Sequence, residues 1–235
     1  MGAGPHHKKT ALDHFITTLN ANLVFTTYAE PIQLKQGIIP TFPVDWNRQF
    51  EEQIENQLAS HFDYYQLALC HLVIKDSTAY RKVCQDMLDK FQASNETDAR
   101  QLTGWACALA PDALTDYSRA IDLLQRAQEL ATSPSYHLGT LLYRSGEFEK
   151  ARDQLLRFTE AVDAKFTSVY VWYFLSMAEF QLGNREKAQE WLKKASSFTT
   201  GLIAAEQAGK KRVAWNHRAT LRLLDAEANA LILEH

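Results

Sequence analysis

The sequence predicts an all-α fold, a solenoid of about four antiparallel helix hairpins with helical caps. Two observations lead to this prediction. The 235 residues include only 9 Gly and 6 Pro, which is too few for the many tight turns of an all-β protein. In addition, two stretches in the C-terminal half align on each other with a constant offset, which indicates a repeat of helix, glycine turn and helix.

The first part of the chain, residues 1–45, is predicted to be an irregular segment before the repeat domain at 46–232. Residues 11–28 are expected to form a helix, and the prolines and β-branched residues of 31–43 favour an extended strap. Asp45 is the candidate cap of a predicted amphipathic helix whose apolar residues recur every four positions, at Trp46, Phe50, Ile54 and Leu58. Residues 233–235 are interpreted as the remnant of an expression tag.

Four hairpins are predicted after this cap. The first covers 64–87 with its turn at 75–77 and Asp76 as the cap of its second helix, and the next covers 102–127 with its turn at 110–112. The last two carry the clearest signal, because both the turn glycines and an alanine in the second helix repeat after 37 residues: Gly146 and Gly183, Ala151 and Ala188.

Small residues explain how the paired helices approach each other. Gly139 and Ser176 stand at the same place in the first helices of the last two hairpins, opposite Ala151 and Ala188 in the second helices. Glycine suits the turns because the left-handed conformation costs it nothing. Asn184 is the candidate cap after the second turn. The final helix, about 213–232, is expected to cap the array with Leu221, Leu224, Ala228 and Leu231 on one face, and with Arg218, Arg222 and Glu227 elsewhere.

These motifs resemble the tetratricopeptide repeat. The later copy matches through Trp172, Leu175, Gly183, Ala188, Leu192 and Ala195, and the earlier copy through Leu138, Gly139, Gly146, Phe148, Ala151 and Leu155. Phe158 departs from the pattern, since a small residue is expected there. From Tyr64 to Ala230 the chain is similar to the C-terminal tetratricopeptide modules of planctomycete-type bacterial signalling proteins linked to serine/threonine kinases. The resemblance implies a right-handed superhelix and a fragment of a larger protein.

Charge and composition exclude several classes of partner. Lys and Arg number 25 against 28 Asp and Glu, a net charge of −3, so the chain has no basic field for nucleic acid or anionic lipid. No apolar stretch is long enough to cross a bilayer and no export signal is recognisable, so we expect a cytoplasmic protein. Cys70, Cys84 and Cys107 are predicted to be buried thiols in a reducing compartment.

The sequence contains no recognisable catalytic motif. It lacks a nucleophile elbow, a zinc-protease helix, a phosphate-binding loop and the motifs of a kinase. The histidines are scattered and form no ligand set. We therefore predict a protein that is not an enzyme, with no cofactor and no metal, which binds a protein or peptide.

The predicted binding surface follows from the resemblance, which implies that certain positions of each first helix line a concave groove. In this chain those positions are Ser133, Tyr136, Thr140, Tyr143, Arg144, Tyr170, Tyr173, Met177, Phe180 and Gln181. The chaperone-binding subfamily uses Lys and Asn there to hold a terminal carboxylate. The aromatic residues of this chain favour an apolar segment with aromatic anchors instead.

Other interpretations stay open at this point. The aromatic residues of the groove also fit packing against a neighbouring helix, and the strap at 31–43 also fits the groove as an internal occupant. A small-molecule sensor or enzyme with Tyr143, Arg144 and Glu179 as polar groups is an alternative function. So is a spacer or homodimerisation module of a larger kinase-like protein.

Overall fold

A computed structural model describes residues 60–130, 135–161 and 166–234. Within these ranges the protein is all-α, as predicted, with nine helices and no strand. The helix at 11–28, the strap at 31–43 and the cap helix from Trp46 lie outside the described residues, as does Ser133. The helices are α1 (His61–Val73), α2 (Ser77–Phe91), α3 (Thr97–Ala108), α4 (Ser118–Leu130), α5 (His137–Arg144), α6 (Phe148–Ala161), α7 (Phe166–Gln181), α8 (Arg185–Gln207) and α9 (Trp215–Leu233).

The turns of the hairpins lie where the sequence placed them. Gly146 and Gly183 have φ of 84° and 78°, the left-handed conformation that favours glycine. Asp76 caps α2, because its carboxylate accepts a hydrogen bond of 3.0 Å from the amide of Ala79. Asn184 stands at the start of α8, but its side-chain amide donates to the carboxylate of Glu179 at 2.7 Å and does not cap the helix.

In two hairpins the helices touch where the first helix carries a glycine. A β-carbon added to Gly104 would lie 2.5 Å from Leu124 on α4, and one added to Gly139 would lie 2.7 Å from Leu155 on α6. Four small buried residues occupy successive first helices at intervals of 36, 35 and 37 residues: Ala68, Gly104, Gly139 and Ser176. The close approach predicted at Gly139 thus extends to α3.

The first helices of the hairpins contact one another in chain order, α1 with α3, α3 with α5, and α5 with α7. We call these four helices the inner row. Each second helix packs against its own partner and, up to α6, against the next first helix as well. The hairpins therefore form a continuous stack with one core.

The last helix closes this stack. Helix α9 contacts α7 and α8, as expected of a cap, and it also contacts α1 at the other end of the inner row. Leu221, Leu224 and Ala228 are buried, as predicted, whereas Leu231 of the same predicted face is half-buried. The inner row and α9 thus form a closed cycle of five helices. None of the helices in the described ranges is both long enough and apolar enough to span a membrane.

Candidate functional site

Most of the predicted groove residues are buried within the helix stack, and three of them contact α9: Arg144, Tyr170 and Tyr173. Phe180 is half-buried and Gln181 is exposed. The Arg144 side chain is only 3% exposed. The remaining members of the predicted groove are buried, and they are Tyr136, Thr140, Tyr143, Tyr170, Tyr173 and Met177. Tyr136 and Tyr143 pack against rings of neighbouring helices of the stack, whereas Arg144, Tyr170 and Tyr173 are held by contacts with α9.

Arg144 at the end of α5 holds α9 by an ion pair. Both outer nitrogens of its guanidinium donate to the carboxylate of Glu227, one of them to Oε2 at 2.7 Å. Two-point pairs of this kind are stronger and more specific than single hydrogen bonds. Burial is the largest single effect and lowers the pKa of Arg144, but Glu227, Tyr143 and Tyr80 together raise this pKa above its ordinary value. The cation therefore stays charged in a buried place because an acid lies opposite.

The position of Arg144 is fixed by groups outside α9. Its Nε donates to the carbonyl of Ala108 at the end of α3 at 2.8 Å. The guanidinium carbon lies 5.2 Å from the ring centre of Phe174 and 5.4 Å from that of Tyr143, within the range of cation–π contacts. Helices α3, α5 and α7 together present this cation to α9.

A second carboxylate of α9 is bound by α7 and α8. The Tyr173 hydroxyl donates to Oδ1 of Asp225 at 2.8 Å and shares a hydrogen bond of 2.8 Å with the Thr199 hydroxyl. Ser196 donates to the same Asp225 oxygen at 2.7 Å. Burial is the main cause that raises the pKa of Tyr173, so its hydroxyl remains a donor. Asp225 and Glu227 therefore each meet a donor that the hairpins supply.

Aromatic side chains fill the space between the inner row and the start of α9. Trp105 stacks on Tyr170 with ring centres 5.2 Å apart and meets Tyr136 edge-on at 5.4 Å. His217 of α9 stacks on Tyr170 at 6.0 Å, and its Nδ1 is hydrogen-bonded to the Tyr170 hydroxyl. His137 stacks on Tyr136 at 4.2 Å. We call these five residues the central aromatic cluster.

Burial keeps both histidines of this cluster neutral. It lowers the pKa of His137 to about 3 and lowers that of His217 as well. A charged imidazole would lose water here, and within the cluster it would meet rings in place of a carboxylate. The cluster is therefore built for neutral aromatic packing.

Helix α9 is joined to α8 by the short link 208–214. Gly209 in this link has φ of 68°, and Lys210 and Lys211 are exposed. Glu206 at the end of α8 ties the link down, because it accepts hydrogen bonds from Arg218 at 2.7 Å and from the amide of Val213 at 3.3 Å.

The polar residues of the small-molecule alternative do not converge on a free site. Arg144 is occupied by Glu227, and Glu179 is 2% exposed and accepts from Asn184. Among the described residues, no group of three or more His, Cys, Asp or Glu side chains is placed to hold a metal ion. The three cysteines are free and buried, as predicted.

Sequence reasoning missed Glu227 and Asp225, which it did not connect with the groove. The sequence does contain a local signal that Glu227 faces the stack. Residues three or four apart lie on the same face of a helix, and Glu227 follows the apolar Leu224 by three residues. Its partner Arg144 lies 83 residues away, and no local pattern connects the two.

No protein-family model matches the chain, and a search of curated proteins found no significant relative. The function must therefore be inferred from α9, the inner row and the contacts between them.

Proposed function

We propose that this chain is a non-enzymatic, tetratricopeptide-like scaffold, a right-handed solenoid that binds a protein segment along its inner row in the cytoplasm. The small residues at intervals of 35 to 37 and the contacts between successive first helices support the repeat interpretation. The net charge of −3 is consistent with a protein partner in preference to nucleic acid.

A single observation carries the binding function. Helix α9 packs against α7 and α1, the two ends of the inner row, and as in a bound helical segment its apolar side chains are buried and its carboxylates are held by Arg144 and Tyr173. Helix-in-groove binding is a common mode of segment recognition. The inner row therefore has the shape and the donors to bind a helix.

Selection of displayed peptides on the full chain tests this function, followed by hydrogen exchange of each complex. We expect selected peptides to change the exchange of α5, α7 and α9, and the variant Tyr143→Ala to weaken their binding. Arg119→Ala is the matched control, because this exposed residue of α4 pairs with Asp89 away from the inner row. Binders that change exchange only in α2, α4 and α6 would contradict the proposal.

A further inference from the structure

The contacts of α9 separate into an apolar part and an acidic part. Leu221, Leu224 and Ala228 are at most 1% exposed and supply the apolar face. Asp225 and Glu227 supply two carboxylates, and both accept hydrogen bonds from the inner row. An occupant of this surface therefore needs an apolar stripe together with acids two residues apart.

Groups of α3, α5, α7 and α8 hold the two donors, Arg144 and Tyr173, in place without help from α9. The Ala108 carbonyl and two aromatic rings position Arg144, while the Thr199 hydroxyl shares a hydrogen bond with Tyr173. A buried guanidinium without an acid is costly, so the row requires a carboxylate at this place. The charge of Arg144 thus selects an acidic occupant.

Helix α9 is tethered to the stack by only a short link. At its start, Ala214 provides no side-chain cap for the first turn, although Glu206 accepts from Val213 nearby. A tethered segment competes at a high effective concentration, and an external segment must overcome it. Binding in trans therefore becomes stronger when the contacts of α9 are weakened.

Building on the proposed function, we infer that the inner row binds an external amphipathic helix with two acidic residues spaced as Asp225 and Glu227, and that α9 is its competitor within the same chain. The external helix takes the place of α9, and its carboxylates bind the Arg144 guanidinium and the Tyr173 hydroxyl. Release of α9 then accompanies binding of the partner.

The test uses the full chain and a labelled peptide with the sequence of residues 214–234, measured by fluorescence anisotropy. We expect the peptide to bind the Glu227→Ala chain at least about tenfold more tightly than the unchanged chain, since cis competition is weakened while Arg144 remains. A peptide carrying Glu227→Gln should lose this gain. Glu234→Gln, a change at an exposed acid just after α9, is the matched control in chain and peptide.

Hydrogen exchange accompanies each measurement, so that release of α9 is observed directly. In the Glu227→Ala chain we expect faster exchange in α9 with α1 to α8 still protected, and the peptide should slow exchange in α5 and α7 further. If this variant does not fold, a protease site inserted after Lys211 allows the link to be cut in the folded chain. The labelled peptide should then replace the cleaved α9.

Three results would overturn the inference. In the first, α9 is released but the peptide binds no more tightly; in the second, the Glu227→Gln peptide binds as well as the native one. In the third, the variant dimerises with rising concentration, which would assign the inner row to α9 of a second copy. If the labelled α9 peptide binds the Glu227→Ala chain but no displayed peptide binds the inner row, the competition by α9 is supported and only the proposed function is contradicted.

Discussion

Trp105 of α3 stacks on Tyr170 of α7, although α5 lies between these helices in the inner row. Their ring centres are 5.2 Å apart and their planes are inclined by 30°. Helix α5 has only eight residues and begins at His137, and Tyr136, which immediately precedes it, meets Trp105 edge-on. The side chains of α3 and α7 therefore meet beside the start of a short helix.

Replacement of Trp105 by alanine should strongly destabilise the protein. Trp105 is 3% exposed and contacts four rings, so we expect the free energy of unfolding to fall by about 3 to 5 kcal/mol. Urea unfolding followed by circular dichroism measures this loss. Trp191→Ala is the control, because this half-buried ring should cost only about 1 to 2 kcal/mol. Equal losses would contradict a central role for the aromatic cluster.

Two glycine substitutions should act in opposite directions. Gly139→Ala places a methyl group 2.7 Å from the buried Leu155, and we expect a loss of about 1 to 3 kcal/mol from overpacking. Gly201→Ala, within α8, meets no atom within 4 Å and should gain about 0.5 to 1 kcal/mol from helix propensity. Melting temperatures of both variants measure these changes in stability. Stabilisation by Gly139→Ala would show that α5 and α6 are not closely packed at this position.

Stability should fall on mild acidification. Because the pKa of His137 is lowered to about 3 in the folded chain, below pH 6.5 the unfolded chain binds a proton that the folded chain does not. The free energy of unfolding then decreases by up to about 1.4 kcal/mol per pH unit for this residue, between about pH 6.5 and 3. His217, with its pKa lowered by burial, adds in the same direction.

Urea unfolding at pH 7, 6 and 5 measures this slope. His137→Asn should reduce the slope by the contribution of one proton, whatever its effect on stability at pH 7. An unchanged slope in this variant would mean that His137 titrates equally in the folded and unfolded chains.

The three thiols should resist reagents while the chain is folded. Burial raises the pKa of Cys70 to about 12, and the neighbouring Cys84 thiol together with burial raises that of Cys107. All three cysteines are buried, and reaction requires an accessible thiolate. We expect no rapid reaction with a disulfide reagent in buffer and three equivalents in denaturant. Rapid labelling of the native chain would contradict the close packing of α1, α2 and α3.

The hairpins could be predicted because their signals are local. The left-handed turns at Gly146 and Gly183 and the cap at Asp76 each depend on a few neighbouring residues, and the structure confirms them. Gly104 was missed, although it precedes Gly139 by 35 residues, close to the repeat interval. Because the intervals between the first hairpins are irregular, the sequence pattern did not indicate that Gly104 and Gly139 are equivalent positions.

The position of α9 could not be predicted in the same way. Its helical face follows from Leu221, Leu224 and Ala228, but its contact with α1 depends on how the curvature of four hairpins adds up. The pair of Arg144 and Glu227 likewise joins residues that only the completed stack brings together. Local patterns thus predict the individual hairpins. The surface that the hairpins form together depends on how all of them pack.

The contact of α9 with α1 fixes the number of hairpins between them. A stack that is open at both ends can lengthen by duplication of a unit, because each unit contacts only its neighbours. Here α9 contacts both α1 and α7, so insertion or removal of a hairpin between these helices would change the distance that α9 spans. Gain or loss of a hairpin would therefore have to be accompanied by a new way of closing the cycle.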